Sequence, residues 1–158
     1  MTGIPAVLDP LRPGDPGWPA FVEVLAAEHL PTDDLAEPGR AFFRIWRDGE
    51  RLGFGGYELQ GEDALLRSLV VVPGLRGQGL GRKVTEAVLR AAVEDGARRA
   101  WLLTTSAAPF FERMGFAPIA RDDAPESIRS TRQAAQLCPS SAALMMRPLA
   151  SGAWRPHE

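Results

Sequence analysis

The densest chemical signal in the chain is the run Val70-Val71-Val72-Pro73-Gly74-Leu75-Arg76-Gly77-Gln78-Gly79-Leu80-Gly81-Arg82. An apolar strand pattern runs into alternating glycines and then directly into a helical pattern. Glycine lets a backbone approach a ligand closely and take positive φ. The first turn of a helix leaves N–H groups without partners, and these groups and the helix dipole favour an anion. Arg76 and Arg82 add fixed positive charge. The segment is therefore expected to hold a phosphate or pyrophosphate on backbone N–H groups. A nucleotide P-loop needs Gly-Lys-Ser/Thr after its glycines, whereas this chain has Gly81-Arg82-Lys83. A dinucleotide fingerprint needs its third glycine three residues after the second, and Leu80-Gly81 breaks that spacing. The bland alternative is a tight strand-to-helix turn that binds nothing.

The next candidate is Arg67, set in the otherwise apolar run Leu65–Val72. A buried arginine must be paired or must face a ligand. One reading is an anchor for a ligand carboxylate or other oxyanion. The other is an ion pair with Glu58 or Glu62. Glu58 is correspondingly either a base working through water or the partner of Arg67. Strand alternation puts Arg67 and Ser68 on opposite faces unless a bulge intervenes. Asp33 and Asp34 either cap a helix or border a ligand pocket. His29, at a helix end, is expected to complement the helix dipole. Cys138, the one cysteine, excludes an internal disulfide and reads as a small buried apolar residue; as a lone thiol it is a poor site for a thiophilic ion. No metal site is expected, because the two histidines, His29 and His157, are far apart in sequence.

The elements that must position these residues follow from punctuation and periodicity. A short strand is predicted around Ala6–Leu8. A helix follows over Trp18–Leu30, stopped by Pro31, and then a second N-cap and helical turn at Thr32-Asp33-Asp34. Ala41–Trp46 and Arg51–Leu59 form a hairpin about Asp48-Gly49. Leu65–Val72 is a buried strand. The best helix is Leu80–Glu94, with Val84, Val88 and Ala91 on one face and Asp95-Gly96 ending it. Ala100–Leu103 is a strand and Ala107–Met114 a helix. Phe116–Ile119 is another strand, Arg121–Leu137 is partly helical, and Ser141–Met146 is the final strand. This order predicts an α/β (α+β) fold, a mixed central sheet with helices on both faces.

The chain has 158 residues, 45% of them hydrophobic and 24% charged, with a formal charge of −2. That fits one domain, expected over 1–148 with a loose tail over 149–158. The charge excludes a strongly basic nucleic-acid binder. No apolar run reaches the roughly 18–20 residues that cross a bilayer. The first residues lack the pattern of a signal peptide. A cytoplasmic protein with no nucleic-acid or membrane partner is expected.

Arg76-Gly77-Gln78-Gly79-Leu80-Gly81 resembles the acyl-CoA pyrophosphate loop of the GNAT superfamily of N-acetyltransferases. Phe110-Phe111-Glu112-Arg113-Met114-Gly115-Phe116 is similar to that family's later aromatic-Glu-basic-apolar-Gly-Phe signature. The resemblance implies the GNAT acyl-CoA N-acyltransferase fold with splayed strands 4 and 5. Acetyl-CoA, as co-substrate, would lie beside the Leu65–Val72 strand. Its pantetheine arm would pair with main-chain groups of Leu69, Val70 and Val71. Backbone groups of Arg76, Gly77, Gln78, Gly79, Leu80, Gly81 and Arg82 would hold the pyrophosphate. The N–H near Val70 would polarise the thioester carbonyl, and a small-molecule amine would attack directly. The resemblance leaves a monomer or a homodimer open, with the final strand as a possible contact edge.

Two family residues are replaced. The usual asparagine falls on Thr104, and the usual tyrosine general acid falls on Phe111, which has no proton to give. The glutamate base of some members is absent from Leu65-Leu66-Arg67-Ser68. Proton handling then falls to water, to Thr104, Thr105 or Ser106, to Glu58, or to the substrate itself. Leu30-Pro31-Thr32-Asp33-Asp34-Leu35, Leu65-Leu66-Arg67-Ser68-Leu69, Leu103-Thr104-Thr105 and Leu137-Cys138-Pro139-Ser140-Ser141-Ala142 further resemble the arsenic-resistance-associated branch. That likeness implies an organoarsenical amino acid or similar amine as acceptor. Arg67 would meet its oxyanion, Ser68, Thr104 and Thr105 would offer hydroxyls, and Asp33 would border the pocket. A coenzyme-binding module without turnover and a purely structural domain are the competing expectations.

Overall fold

The computed structural model describes residues 6–72, 74, 79–131, 134–135 and 141–149. Seven strands form one mixed sheet in the order β1-β2-β3-β4-β5-β7-β6. The chain divides into two compact units, Met1–Glu58 with Leu66–Ala91, and Leu59–Leu65 with Ala92–Glu158.

The first unit holds β1 (Val7–Leu11), α1 (Trp18–Ala27), β2 (Arg40–Arg47), most of β3 (Glu50–Gln60), the end of β4 (Asp63–Val71) and most of α2 (Leu80–Glu94). β1, β2 and β3 run antiparallel, from Val7↔Trp46 in one pair and Arg47↔Glu50 in the next. Asp48 (φ 55°) and Gly49 (φ 75°) are both left-handed, the backbone a two-residue hairpin turn requires. Phe21 and Leu25 of α1 pack on Leu11, Leu35, Phe42, Phe54 and Val70. The Phe21 ring lies 5.3 Å from that of Phe42 and 5.2 Å from that of Phe54. Gly55 faces the other way. A Cβ there would lie 2.6 Å from Val88 of α2 and 2.9 Å from Leu69. Since Phe54 and Gly55 alternate, α1 and α2 cover opposite faces of β3.

The helix predicted to reach Leu30 ends at Ala27, and proline is not what stops it. His29 takes φ 60°, its N–H donates to the Ala26 carbonyl, and Leu30 N–H donates to Leu25 at 2.9 Å. This is a Schellman ending with histidine where glycine is usual. Thr32-Asp33-Asp34 starts no helix; residues 33–36 are turns.

In the second unit, β4 pairs in parallel with β5 (Arg99–Thr104) from Asp63↔Arg99 to Leu65↔Trp101. Buried Asp63 accepts from Trp101 Nε1 (2.8 Å) and Arg99 Nε (2.6 Å), and the Arg99 guanidinium is held further above its usual range by that hydrogen bond. After α3 (Ala108–Arg113) come β6 (Ala117–Pro118), a one-turn helix α4 (Glu126–Arg129) and β7 (Ala143–Pro148). β7 enters between β5 and β6, antiparallel to both, and β6 pairs with it at Met145 and Met146. Leu65, Trp101, Ala124, Ile128 and Leu144 form the core here. Leu149, placed in the tail by its sequence, is buried and donates its N–H to Arg98; residues 150–158 lie outside the described ones.

Candidate active site

β4 carries the site, and its geometry turns on one residue. Ser68 has φ 59° in the middle of a buried strand. Arg67 places its guanidinium 5.7 Å from the Phe42 ring centroid, on the face that α1 covers. Val70 is buried against the same Phe42 cluster. Residues three apart share a face of a strand only when an extra residue intervenes, so Ser68 is a bulge. It reverses the alternation for Leu69, Val70 and Val71. β3 stays close beyond it: a Cβ at Gly53 would overlap the Val70 carbonyl oxygen, and Val72 N–H donates to Leu52 at 2.8 Å.

Arg67 is 1% exposed and paired. Its Nη1 donates to Asp34 Oδ2 (2.6 Å) and Glu58 Oε2 (2.9 Å), and its Nη2 to Asp34 Oδ1 (2.7 Å). Arg40 completes the group, donating from Nη2 (2.9 Å) and Nε (3.3 Å) to Asp34 Oδ2, with Nη2 3.6 Å from Glu58 Oε1. Of the two expected roles for Arg67, the ion pair is the one occupied. Its partner is Glu58 and not Glu62, whose carboxylate lies near exposed Arg98 and Arg99. Burial pushes the Asp34 carboxyl upward, but hydrogen bonds and charge from Arg67 and Arg40 overcome it and hold the group at about 2.

Sequence reasoning missed Arg40, and it weighed Asp34 beside Asp33 as a cap or pocket residue without pairing it with Arg67. Asp33, its choice for the acceptor pocket, is exposed, and the next residue is the one turned inward. Arg40 was hidden by register. Trp46 pairs with Arg51, but Ile45 pairs with Gly53, so an irregularity advances the register by one and brings Arg40 opposite Glu58 instead of Tyr57. The available signal was that a buried guanidinium needs more than one acceptor.

At the far end of β4, Arg76, Gly77 and Gln78 lie outside the described residues. Gly79 has φ 73°, and no described atom lies within 4 Å of where its Cβ would sit. Leu80 starts α2; Gly81 accepts a hydrogen bond from Thr85 Oγ1 (2.8 Å), and exposed Arg82 pairs with Glu86. In the second unit, Thr104 Oγ1 accepts from Ala107 N–H (3.0 Å) and so closes the turn into α3. Thr105 is exposed. Phe111 is buried, edge-on to Phe110 and Phe116 at 5.0 and 5.8 Å. Tyr57 reaches the Ala91 carbonyl at 3.5 Å. Cys138 lies outside the described residues, and among those described no cluster of three or more His, Cys, Asp or Glu could hold a metal. No helix of the described residues is long and apolar enough to cross a membrane.

Comparison with known proteins bears on the same region. The model of the acetyltransferase (GNAT) family matches residues 15–116. The uncharacterized N-acetyltransferase YjgM of Escherichia coli K12 is 32% identical over 89 residues, covering 51% of this chain and 53% of that protein. Streptothricin acetyltransferase of Streptomyces lavendulae is 33% identical over 91 residues, covering 54% and 48%. The chain thus spans about half the length of these curated relatives. N-acetylglutamate synthase of Neisseria gonorrhoeae, solved with coenzyme A and N-acetyl-glutamate, superposes with a TM-score of 0.69 at 17% identity, over 92% of this chain and 36% of that one. With the family model matched over most of its length, the chain belongs to the GNAT family of acetyltransferases.

Proposed function

We propose that the protein transfers the acetyl group of acetyl-CoA to the amine of a small molecule, with residues 1–148 as the transferase domain. The observation that carries this reading is the left-handed Ser68 inside a buried strand. A non-glycine residue held there costs on the order of 1–3 kcal/mol, strain that characteristically collects at functional sites. The bulge falls immediately before Leu69, Val70 and Val71, the residues assigned to main-chain contact with the coenzyme arm. The open surroundings of Gly79, ahead of the α2 N-terminus, fit a diphosphate that needs close backbone approach.

The coenzyme supplies an activated acetyl thioester. In this reading a main-chain N–H near Val70 donates to the thioester carbonyl oxygen as negative charge develops there. Glu58 receives the acceptor's proton through water, and Arg67 fixes the carboxylate that does so. Phe111 fills the site of the family's proton donor without offering a proton, so the departing thiolate is protonated by water or by Thr104. A general acid typically contributes 10²–10⁴-fold, and transfer without one is slow but not abolished.

The acceptor is an amine that also carries an oxyanion, an organoarsenical or similar amino acid being the reading its sequence resemblance favours. The packing of Phe111 among aromatic rings favours a second reading, a coenzyme-binding module with little turnover. Thiol release from acetyl-CoA across a panel of amines, including organoarsenical and phosphinic amino acids, separates the two. Release with at least one amine supports the transferase, and tight coenzyme binding with no release from any amine leaves the module.

A further inference from the structure

Two guanidiniums converge on a single carboxylate that comes from an irregular segment. Asp34 lies among the turns between α1 and β2, held by the local backbone bonds Leu35 N–H to Thr32 and Glu37 N–H to Asp34. Both of its oxygens take hydrogen bonds from Arg67, and one also takes them from Arg40. This forked geometry is how arginine binds a free carboxylate. Arg67 has a further donor unmet: its Nε is buried and has no partner among the described residues. Buried donors are nearly always paired, so an acceptor oxygen is missing there. Arg40 in turn borders an open cleft of about 280 Å³, walled also by Pro10, Pro13, Leu35, Glu37 and Phe43.

Resting on the transferase reading, we propose that Arg67 and Arg40 form the seat for an oxyanion of the acceptor, entered through this cleft, and that Asp34 is the chain's own carboxylate occupying the seat until the acceptor displaces it. The ligand class is a small amine bearing one carboxylate or phosphinate-like group. Charge fits this class. With Asp34 in place the two guanidiniums face two buried carboxylates. With Asp34 withdrawn, Glu58 is the one buried carboxylate left to them and Glu37 stays at the half-exposed rim, so a monoanion replaces the buried charge that left. Leu35, Phe43 and the two prolines suit a short carbon chain. The segment bearing Asp34 can shift without unmaking a helix or a strand, because it belongs to neither. Glu37, half-exposed at 3.5 Å from Arg40, stays at the rim and disfavours ligands of higher negative charge.

The test vacates the seat with Asp34→Ala and offers acetate as the probe. Thermal unfolding of the wild type, Asp34→Ala and Asp34→Ala/Arg40→Gln is followed as sodium acetate replaces sodium chloride at constant ionic strength. Asp34→Ala melts below the wild type, and acetate restores about half or more of the loss along a saturable curve, as expected of a ligand that binds only the native state. Chloride restores nothing, and Arg40→Gln abolishes the recovery. Absence of an acetate-specific recovery, or recovery that survives Arg40→Gln, overturns the proposal. Asp34→Ser replaces the alanine variant if that one does not fold. The melting result does not depend on acetyl transfer, so acetate recovery with no thiol release from any amine refutes the transferase reading alone. Where transfer is measured, Arg40→Gln raises KM for a carboxylate-bearing amine roughly tenfold more than for its carboxylate-free counterpart, about 1.4 kcal/mol. An equal change in both KM values overturns the proposal.

Discussion

Replacing Asp34 by asparagine keeps the shape of the side chain and removes its charge. The wild-type carboxyl sits at about 2, against an ordinary 3.8. At about 1.36 kcal/mol per pH unit, that difference is linked to roughly 2 kcal/mol of folding stability, and because the side chain is fully buried little is lost to solvent screening. A lowered carboxyl stabilises the fold above its unfolded value, and the contribution disappears as pH falls through the folded one. The window therefore runs from about pH 4 down to about pH 2. Asparagine also leaves two buried guanidiniums short of an anion, and breaking a buried pair generally removes about 3–5 kcal/mol. Urea unfolding at a series of pH values checks both parts. At neutral pH the variant is expected to lose at least about 2 kcal/mol with an unchanged denaturant slope. The gap then narrows by about the same amount as the pH drops from about 5 to about 2. A gap below about 1 kcal/mol at neutral pH, or one that does not change with acid, would refute the charge accounting at Asp34.

Other substitutions probe the frame that holds the site. Gly55→Ala would drive a methyl group into Val88 and Leu69, and urea unfolding should show a loss of about 1–3 kcal/mol; unchanged stability would mean α2 does not press on β3 there. His29→Gly removes a side chain from a left-handed helix end and is expected to raise stability by roughly 1 kcal/mol in the same assay. Trp101→Phe deprives buried Asp63 of a donor and should cost about 1–3 kcal/mol, seen as a lower Tm.

Much of the fold was readable because local signals agreed with the final arrangement. Asp48-Gly49 takes the left-handed turn its residue types favour, and α2 starts and stops where its periodicity does. What could not be read was non-local or irregular. Nothing in Ser141–Met146 says that β7 enters between β5 and β6, since that depends on pairing across distant parts of the chain. The ion-pair cluster depends on two departures from ideal strands, the register step at Ile45/Trp46 and the bulge at Ser68. Alternation alone puts Arg40 opposite Tyr57 and reverses the faces of Leu69, Val70 and Val71. Arg67 was recognisable as a charge needing partners. That Asp34 would serve, and not Asp33, depended on how a short irregular turn closes, where each residue can face either way.

The central claim is that the turn from β4 into α2 receives the diphosphate of acetyl-CoA. The most direct measurement is thermal unfolding of the wild type and of Gly79→Glu with and without the coenzyme. At 100 times its dissociation constant the coenzyme should stabilise the wild type by about 2.7 kcal/mol, and the glutamate variant should show no shift, because its side chain and charge occupy the place of the phosphates. A wild type whose melting does not respond to acetyl-CoA, or a Gly79→Glu variant that responds as strongly as the wild type, would contradict the account.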